Sequence, residues 1–527
     1  MNKKLLLSLV IALTTISFYA QDPNILWQKT IGGSDEDFMI PAISTNDNGL
    51  ILGGFSKSDI SGEKTENSRG GFDYWIIKLD ESGNIEWDKT LGGNQDDFLH
   101  TIVQTIDDGY ILSGHSKSGI SGEKTENSRG DFDYWIIKLD SSGNIEWQKT
   151  IGGNGPEVYC SIIQTTDGGF LLGGYSQSNI SGEKTENSRG GDDCWILKLN
   201  SSGNIEWQKT IGGSGREYLF SMLQTNDNGY ILGSTSSSNI SGEKTENSRG
   251  QTDFWVIKLD NLGNIMWQKT IGGDDTDFLK DIIQTSDGSY MLAGWSYSNI
   301  SGEKTEDSKG LEDYWILKLN EVGEIMWQKT IGGNLGEQLN RISQISDGGF
   351  LLCGWSSSNI SGDKSENSNG REDYWIIKID QNGNLEWQNT IGGDLDDIAG
   401  TVFYDNNANN YIAGYSKSNI SGDKTENSRG EHDFWIIKHA PTLGLEENPF
   451  TETITLYPNP TKNTLKLNTQ DKTIDQINIY TMTGSKVLQL DVDTVSPNVD
   501  VSTLASGVYY FQLYSGKNVA LKKFVKE

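Results

Sequence analysis

The sequence predicts an all-β protein with two parts, a long repetitive region and a separate C-terminal β domain. Tryptophans recur every 60 residues in two series of seven, one beginning at Trp27 and the other at Trp75. The 527 residues include 62 glycines but only 8 prolines, a composition typical of many short strands joined by tight turns. The net charge is −30, yet residues 448–527 carry eight lysines against seven acidic residues, which predicts two different modules.

Each 60-residue unit contains four short runs of β-forming residues. In the first unit these runs are residues 24–31, 38–45, 50–56 and 73–79, and the segments between them carry residues that suit tight hairpin turns. The run at 73–79 is apolar on both faces, as expected of a strand whose sheet packs between two neighbours. Four antiparallel strands per unit, stacked face to face, predict the blades of a β-propeller.

The two ends of the repetitive region predict how its ring closes. The region begins with the Trp27 strand, and the last unit ends at His439 without a fourth strand of its own. The N-terminal strand would complete the last blade, which leaves no open sheet edge. We therefore expect a seven-bladed β-propeller over residues 21–440, closed by the N-terminal strand.

A motif links the third and fourth strands of each unit. Residues 77–87 read Ile-Lys-Leu-Asp-Glu-Ser-Gly-Asn-Ile-Glu-Trp, with an aliphatic residue and an Asp, a turn glycine and a tryptophan. This motif resembles the tryptophan-docking repeat of quinoprotein-like propellers, and the resemblance implies blade architecture. It does not extend to the quinone, because quinoprotein dehydrogenases have eight units and an adjacent cysteine pair that this chain lacks. We expect no cofactor.

The first 20 residues are typical of a secretory signal peptide. Lys3 and Lys4 precede an apolar run from Leu5 to Phe18, and Ala20 offers a small residue for cleavage. The run is too short to span a bilayer comfortably, and no later run approaches ~18 consecutive apolar residues. The acidity of the repeats argues against nucleic acid as the main partner, because a phosphate backbone needs a positive field.

A linker at residues 441–450 leads to residues 451–527, whose alternating strand patterns predict a small β-sandwich. The motifs of this segment are Tyr457, Pro458, Asn459 and Pro460, then Gly507 and Tyr509, then Lys522 and Lys523. They resemble the type A C-terminal sorting domain of the type IX secretion system of Bacteroidetes. The resemblance implies an Ig-like sandwich that contacts the secretion machinery and is removed after export, with the mature protein secreted or held at the outer-membrane surface.

The loop between the second and third strands is nearly identical in every unit. It reads Ile-Ser-Gly-Glu-Lys-Thr-Glu-Asn-Ser-Arg-Gly at residues 60–70, whereas the stretch after the Gly32-Gly33 pair differs from unit to unit. Two accounts stay open: ion pairs pin the loops structurally, or the loops form a repeated surface that binds a glycan or a protein through avidity. The candidate ligand-binding residues are Glu63, Lys64, Glu66, Asn67, Arg69, Glu123, Lys124, Glu126, Arg129, Glu183, Lys184, Glu186 and Arg189.

One position after the Gly-Gly pair is acidic in every unit. Carboxylates there could hold Ca²⁺, which takes oxygen ligands, although their spacing matches no EF-hand. The alternative is that they cap a turn by accepting hydrogen bonds from backbone N–H groups. These residues are Asp37, Asp97, Glu157, Glu217, Asp277, Glu337 and Asp397.

A position at the end of the second strand is aromatic in most units. Such side chains could stack on sugar rings, but packing between blades is the commoner role. The series is Phe55, His115, Tyr175, Thr235, Trp295, Trp355 and Tyr415.

Catalytic motifs are scarce. The four histidines occupy nonequivalent positions, and the sequence holds no nucleophile elbow, zinc spacing or phosphate loop. We therefore expect a noncatalytic, monomeric binding or adhesion protein outside the cytoplasm. Two alternatives remain. A secreted carbohydrate-active enzyme would have one chemically distinct acidic cleft, and a structural surface component would self-associate.

Overall fold

The computed structural model describes residues 23–405, 409–440, 454–469, 472–481, 486–516 and 518–527, and these contain strands and turns but no helix. The expected signal peptide and linker lie outside the described residues. No described segment is a helix long and apolar enough to cross a membrane. The described part of the first 440 residues folds into repeated four-stranded antiparallel sheets that form a β-propeller.

The strands follow the 60-residue period. Repeat 1 comprises β2 (Asp37–Ser44), β3 (Leu50–Ser56), β4 (Asp73–Leu79) and β5 (Ile85–Leu91). Repeat 2 comprises β6 (Asp97–Gln104), β7 (Tyr110–Ser116), β8 (Asp133–Leu139) and β9 (Ile145–Ile151). Repeat 3 comprises β10 (Glu157–Gln164), β11 (Phe170–Ser176), β12 (Asp193–Leu199) and β13 (Ile205–Ile211). Repeat 4 comprises β14 (Glu217–Gln224), β15 (Tyr230–Ser236), β16 (Asp253–Leu259) and β17 (Ile265–Ile271).

The later repeats keep the same order of strands. Repeat 5 comprises β18 (Asp277–Gln284), β19 (Tyr290–Ser296), β20 (Asp313–Leu319) and β21 (Ile325–Ile331). Repeat 6 comprises β22 (Glu337–Gln344), β23 (Phe350–Ser356), β24 (Asp373–Ile379) and β25 (Leu385–Ile391). Repeat 7 comprises β26 (Asp397–Tyr404), β27 (Asn410–Ser416) and β28 (Asp433–His439). The N-terminal strand β1 (Ile25–Ile31) pairs antiparallel with β28, which gives the sheet order β1-β28-β27-β26.

The apolar face of each sheet is buried against the next sheet. Tyr74 of β4 packs on Trp135 of β8 with ring centroids 4.9 Å apart, and its hydroxyl donates to the Trp135 carbonyl at 3.1 Å. Every residue of β4 is buried, as the two-sided apolar pattern predicts. One apolar cluster joins repeats 1 and 7, and it includes Met39 and Phe434.

The tryptophan of β1 packs against a turn of repeat 1. Gly83 has a φ of 78°, a conformation that residues with a Cβ rarely adopt, and an added Cβ would lie 3.1 Å from the Trp27 ring. Gly143 has the same relationship to Trp87. These contacts between a tryptophan and the turn glycine of the following repeat explain why both residues recur in the motif.

The C-terminal domain has two sheets of its own. One has the order β29-β30-β33 and the other β32-β31-β34-β35, and both are antiparallel. The strands are β29 (Thr455–Tyr457), β30 (Thr464–Asn468), β31 (Thr473–Thr481), β32 (Lys486–Val495), β33 (Asn498–Asp500), β34 (Gly507–Ser515) and β35 (Asn518–Lys526). Side chains from both sheets, among them Leu465 and Phe511, form one buried core.

Candidate functional site

The nearly identical loops are joined to one another across the repeat boundaries. The Arg69 guanidinium forms an ion pair with Glu123 of the next repeat at 2.7 Å, and Arg129 pairs with Glu183 at 2.6 Å. Arg429 of repeat 7 pairs with Glu63 of repeat 1 at 2.7 Å, so the contact also joins the last repeat to the first. Later boundaries use Arg189–Glu243, Arg249–Glu303, Lys309–Asp363 and a hydrogen bond from Asn369 to Asp423.

The other candidate loop residues also hold the loop in place. Lys64 is 2% exposed, and its ammonium donates to the Thr90 hydroxyl at 2.6 Å while lying over the Trp75 ring. The Glu66 carboxylate accepts a hydrogen bond from the Thr90 backbone N–H at 3.2 Å. The side-chain carbonyl oxygen of Asn67 accepts one from the backbone N–H of Ile60. Burial lowers the pKa of Lys64 to about 8. This geometry matches the structural account of the uniform loop.

The same arrangement recurs in the next two repeats. Lys124 and Lys184 are each 1% exposed and lie over Trp135 and Trp195. The carboxylates of Glu126 and Glu186 accept hydrogen bonds from backbone N–H groups of β9 and β13. The carboxylates of Glu123 and Glu183 accept hydrogen bonds from the backbone N–H groups of Gly92 and Gly152. A surface groove of about 780 Å³ lies between two later loops, and it is lined by Lys309 and Asp363, which already pair with each other.

The ring of acidic residues begins the inner strands. Asp37 is fully buried, and its carboxylate accepts the Gly33 backbone N–H at 2.6 Å and the Ser58 hydroxyl at 3.1 Å. Burial raises the pKa of Asp37 to about 6 and that of Glu157 to about 7. The contact with the glycine N–H recurs at Asp97, Glu157, Glu217, Asp277, Glu337 and Asp397. This is the turn-capping geometry. Among the described residues, none of these seven carboxylates belongs to a group of three side chains that could hold a metal ion.

The positions that differ between repeats converge on the axis of the propeller. A pocket of about 480 Å³ lies there, and its lining residues come from six of the seven repeats. The inner strands contribute one residue each, all of different types, to a set that we call the axial ring. The axial ring consists of Ile40, His100, Tyr159, Phe220, Lys280, Asn340 and Gly400.

Neighbouring members of the axial ring contact each other. The His100 and Tyr159 rings stack at 4.6 Å, and Tyr159 meets Phe220 edge to face at 4.7 Å. The Lys280 ammonium lies 4.9 Å from the centre of the Phe220 ring, a distance that allows a cation–π interaction. The side-chain amide of Asn340 donates to the backbone carbonyl of Ala399 at 2.9 Å.

Tyr159 reaches the axis through an irregularity of its strand. Its φ is +59°, in the left-handed region that bulky residues rarely adopt, and the register of β10 shifts between Val158 and Ser161. Cys160 is consequently fully buried and packs in the apolar cluster of repeats 2 and 3, much as Leu99 packs in the cluster of repeats 1 and 2. Strained backbone often occurs at functional sites, which draws attention to this position.

One wall of the pocket is aromatic. Phe38 lies 5.4 Å from Phe55 and 5.1 Å from Tyr415, and Phe55 meets Phe72 edge to face at 5.1 Å. Phe55, Trp355 and Tyr415 belong to the aromatic series at the end of the second strand. The rings of this series pack between repeats, as one of the two expected roles requires, and three of them also line the cavity. Stacking on sugar rings stays a prediction.

The pocket lining also carries polar and cationic groups. Lys280, Gln338, Asn340 and Arg341 line the cavity, and the lining residues include no carboxylate. Arg341 donates to buried Asp281 at 3.2 Å, which holds the guanidinium in place. The pocket thus combines flat apolar surfaces with fixed positive charge and amide groups, a lining suited to ligand binding.

The sequence did not identify this pocket as one site. Two signals fall on it: the aromatic series at the end of the second strand, and the divergence of the stretch after each Gly-Gly pair. In that stretch, buried and axial positions cannot be told apart without the strand register. A ring nitrogen of His115 lies 3.0 Å from one of His100, and His439 is fully buried. Burial lowers the pKa of His100 to about 3 and that of His439 to about 4.

In the C-terminal domain, residues 455–527 match the family model described as secretion system C-terminal sorting domain. The tail is a type IX secretion sorting domain. It indicates export to the cell surface or the extracellular space. Within this domain the Asn459 side chain pairs with the backbone of β35, accepting from Val525 and donating to Lys523, and Tyr509 stacks on Phe524 at 5.5 Å. Lys523 is exposed.

The chain has a distant curated relative. The regulatory protein FlaEY of Caulobacter vibrioides is 21% identical over an alignment of 394 residues that covers 69% of this chain and 40% of that protein. The chain therefore spans well under half the length of this relative.

Two solved structures illustrate the likeness in fold. The WD40 domain of Neurospora crassa Pan2 is 10% identical, with a TM-score of 0.43, 80% of this chain covered and 97% of that one. A protein of unknown function from Dyadobacter fermentans is 9% identical, with a TM-score of 0.41, 79% of this chain covered and 99% of that one.

Proposed function

We propose that this chain is a noncatalytic binding protein, exported by the type IX secretion system, that captures an extracellular glycan in the axial pocket. The propeller is a ring of seven blades closed by β1, and it acts as a rigid scaffold for that pocket. The ligand class follows from the lining, because aromatic rings stack on the apolar faces of sugars while Lys280 attracts a carboxylate or sulfate group. An acidic saccharide has both features. The charge of Arg341 is already paired with Asp281.

The axial ring is the observation that carries this proposal. The repeats are nearly identical in their loops and third strands, yet no two members of the axial ring are the same residue type. A purely structural ring would gain nothing from seven different residue types around the axis. Different residue types around the axis are what a single asymmetric binding site requires.

The lining also favours binding over sugar hydrolysis. Most glycosidases need two carboxyl groups flanking the scissile bond, and the described lining residues of this pocket supply none. We place the ligand in the axial pocket and not on the repeated loops. The candidate loop side chains already form ion pairs and hydrogen bonds within the ring of loops.

A glycan array tests the proposal. The mature protein should bind acidic glycans more strongly than their neutral counterparts, and Phe220→Ala should remove that binding because it removes a wall of the pocket. Arg249→Gln is the matched control, since Arg249 belongs to the same repeat but pairs with Glu303 in the ring of loops. Binding that survives Phe220→Ala but fails in Arg249→Gln would return the site to the loops. A silent array would contradict a glycan ligand.

A further inference from the structure

The junction between the last and first repeats holds a cluster of metal-ligating side chains. Glu36 precedes β2 of repeat 1, while Glu431 and His432 precede β28 of repeat 7. One potential ligand atom from each of these residues lies within 4.8 Å of the other two. The Asp37 backbone N–H donates to the His432 carbonyl at 2.8 Å, so the backbone fixes the two segments against each other.

The side-chain ring of His432 is placed by aromatic packing. Its ring lies 4.7 Å from Phe38 and meets Tyr415 edge to face at 5.7 Å. Its Nδ1 atom is buried and has no hydrogen-bond partner, which is costly for a polar group. The equivalent positions in repeats 1 and 2 hold Phe72 and Phe132, so an aromatic hydrocarbon ring satisfies the same packing.

Each carboxylate of the cluster faces a lysine that a bound cation would have to displace. Glu36 is half-buried and pairs with Lys57 at 2.6 Å, and exposed Glu431 lies 3.7 Å from Lys417. Lys57 has a second favourable position, because its ammonium already lies 4.1 Å from the centre of the Phe72 ring. A cation could therefore take the Glu36 carboxylate without leaving that lysine unpaired.

The ligand set indicates which metals the cluster suits. A neutral imidazole is the form that ligates metals, and one nitrogen combined with two carboxylates suits zinc and similar borderline cations better than calcium.

We propose that Glu36, Glu431 and His432 form a divalent transition-metal site that ties repeat 7 to repeat 1 at the rim of the axial pocket. Three protein ligands leave a coordination position open for water or for an oxygen atom of a ligand. His432 contacts Phe38 and Tyr415, which line the pocket, so the metal lies next to the glycan site. The metal site stands whether or not the pocket binds a glycan.

Zinc binding to the mature protein tests this site directly. Equilibrium dialysis against Zn²⁺ should give one ion per chain, and His432→Phe should weaken that binding by at least about tenfold. Loss of a residue that only supports a metal ligand already lowers metal affinity by about that factor. Phenylalanine preserves the packing that Phe72 and Phe132 provide. Glu431→Gln, at an exposed position, is a second variant that should lower the affinity even if His432→Phe disturbs the fold.

Asp131→Asn is the matched control. Asp131 occupies the position of Glu431 in repeat 2 and pairs with Lys117, but Phe132 follows it in place of a histidine. This variant should keep both the affinity and the stoichiometry of the unmodified protein. Zinc should also raise the melting temperature of the unmodified protein and of Asp131→Asn, but not that of His432→Phe. The proposal is overturned if no stoichiometric Zn²⁺ binds, or if binding is unchanged in both His432→Phe and Glu431→Gln.

Discussion

Arg69 of repeat 1 and Glu123 of repeat 2 form a 2.7 Å ion pair across the repeat boundary, and both side chains are 26% exposed. Glu123 also accepts a hydrogen bond from the backbone N–H of Gly92, so the carboxylate ties the loop of repeat 2 to the residue that follows β5 of repeat 1. Such contacts between one repeat and the next are what the structural account of the uniform loops requires. This leaves the axial ring as the variable, asymmetric part of the propeller.

The loop ion pairs should contribute modestly to stability. In a double-mutant cycle with Arg69→Gln and Glu123→Gln, we expect a coupling free energy of about 0.2–1 kcal/mol, because partly exposed pairs are screened by solvent. Urea denaturation of the four proteins measures this value. Raising the salt concentration should reduce the coupling, and a coupling that is insensitive to salt would contradict an ion-pair origin.

Stability should depend on pH through the buried carboxyl of Asp73. Burial raises the pKa of Asp73 from 3.8 to about 7. Between these values the folded protein binds more protons than the unfolded chain does, so the resulting stabilisation is present below the lower pKa and is lost as the pH rises through the upper one. Relative to Asp73→Asn, the unmodified protein should therefore lose stability between about pH 4 and about pH 7. Urea midpoints that run parallel for the two proteins would show that Asp73 does not titrate in this range.

Lys280 should select for charge on the ligand. We expect Lys280→Gln to weaken binding of an acidic glycan by about tenfold, since hydrogen bonds to charged groups contribute roughly 1.5–3 kcal/mol. Binding of the corresponding neutral glycan should change little. Isothermal titration with the two glycans measures the difference, and an equal loss for both would mean that Lys280 acts through the packing of Phe220 instead.

The C-terminal domain should be needed for export. Deleting residues 455–527 should leave the propeller on the periplasmic side, because the sorting domain directs passage across the outer membrane. Cell fractionation followed by detection of the propeller measures this. A propeller that reaches the surface without the domain would contradict the role assigned to the tail.

The sequence predicted the parts of the molecule that repeat. The tryptophan spacing and the turn glycines indicated four-stranded antiparallel units, and the Tyr457-Pro458-Asn459-Pro460 motif indicated the sorting domain; the sheets and the family match confirm both. The order of the four runs within a unit was also predicted, because each strand is short, apolar and bounded by turn residues. The strand order can therefore be predicted from the 60-residue period alone.

The axial pocket could not be predicted in the same way. Whether a residue of the inner strand faces the axis or a neighbouring sheet depends on the bulge in that strand, and a shift of one residue reverses the two sides. Tyr159 and Cys160 show this, since the bulge in β10 sends the tyrosine to the axis and the cysteine into the core. The metal cluster was hidden for a related reason: Glu36 and His432 lie 396 residues apart and meet only because repeat 7 packs on repeat 1.

The most direct test of the central claim is a crystal structure of the mature protein soaked with the acidic glycan that gives the strongest array signal. We predict sugar density within about 4 Å of Tyr159, Phe220 and Lys280. Density on the loops at residues 60–70 and their copies, with an empty axial pocket, would contradict this account.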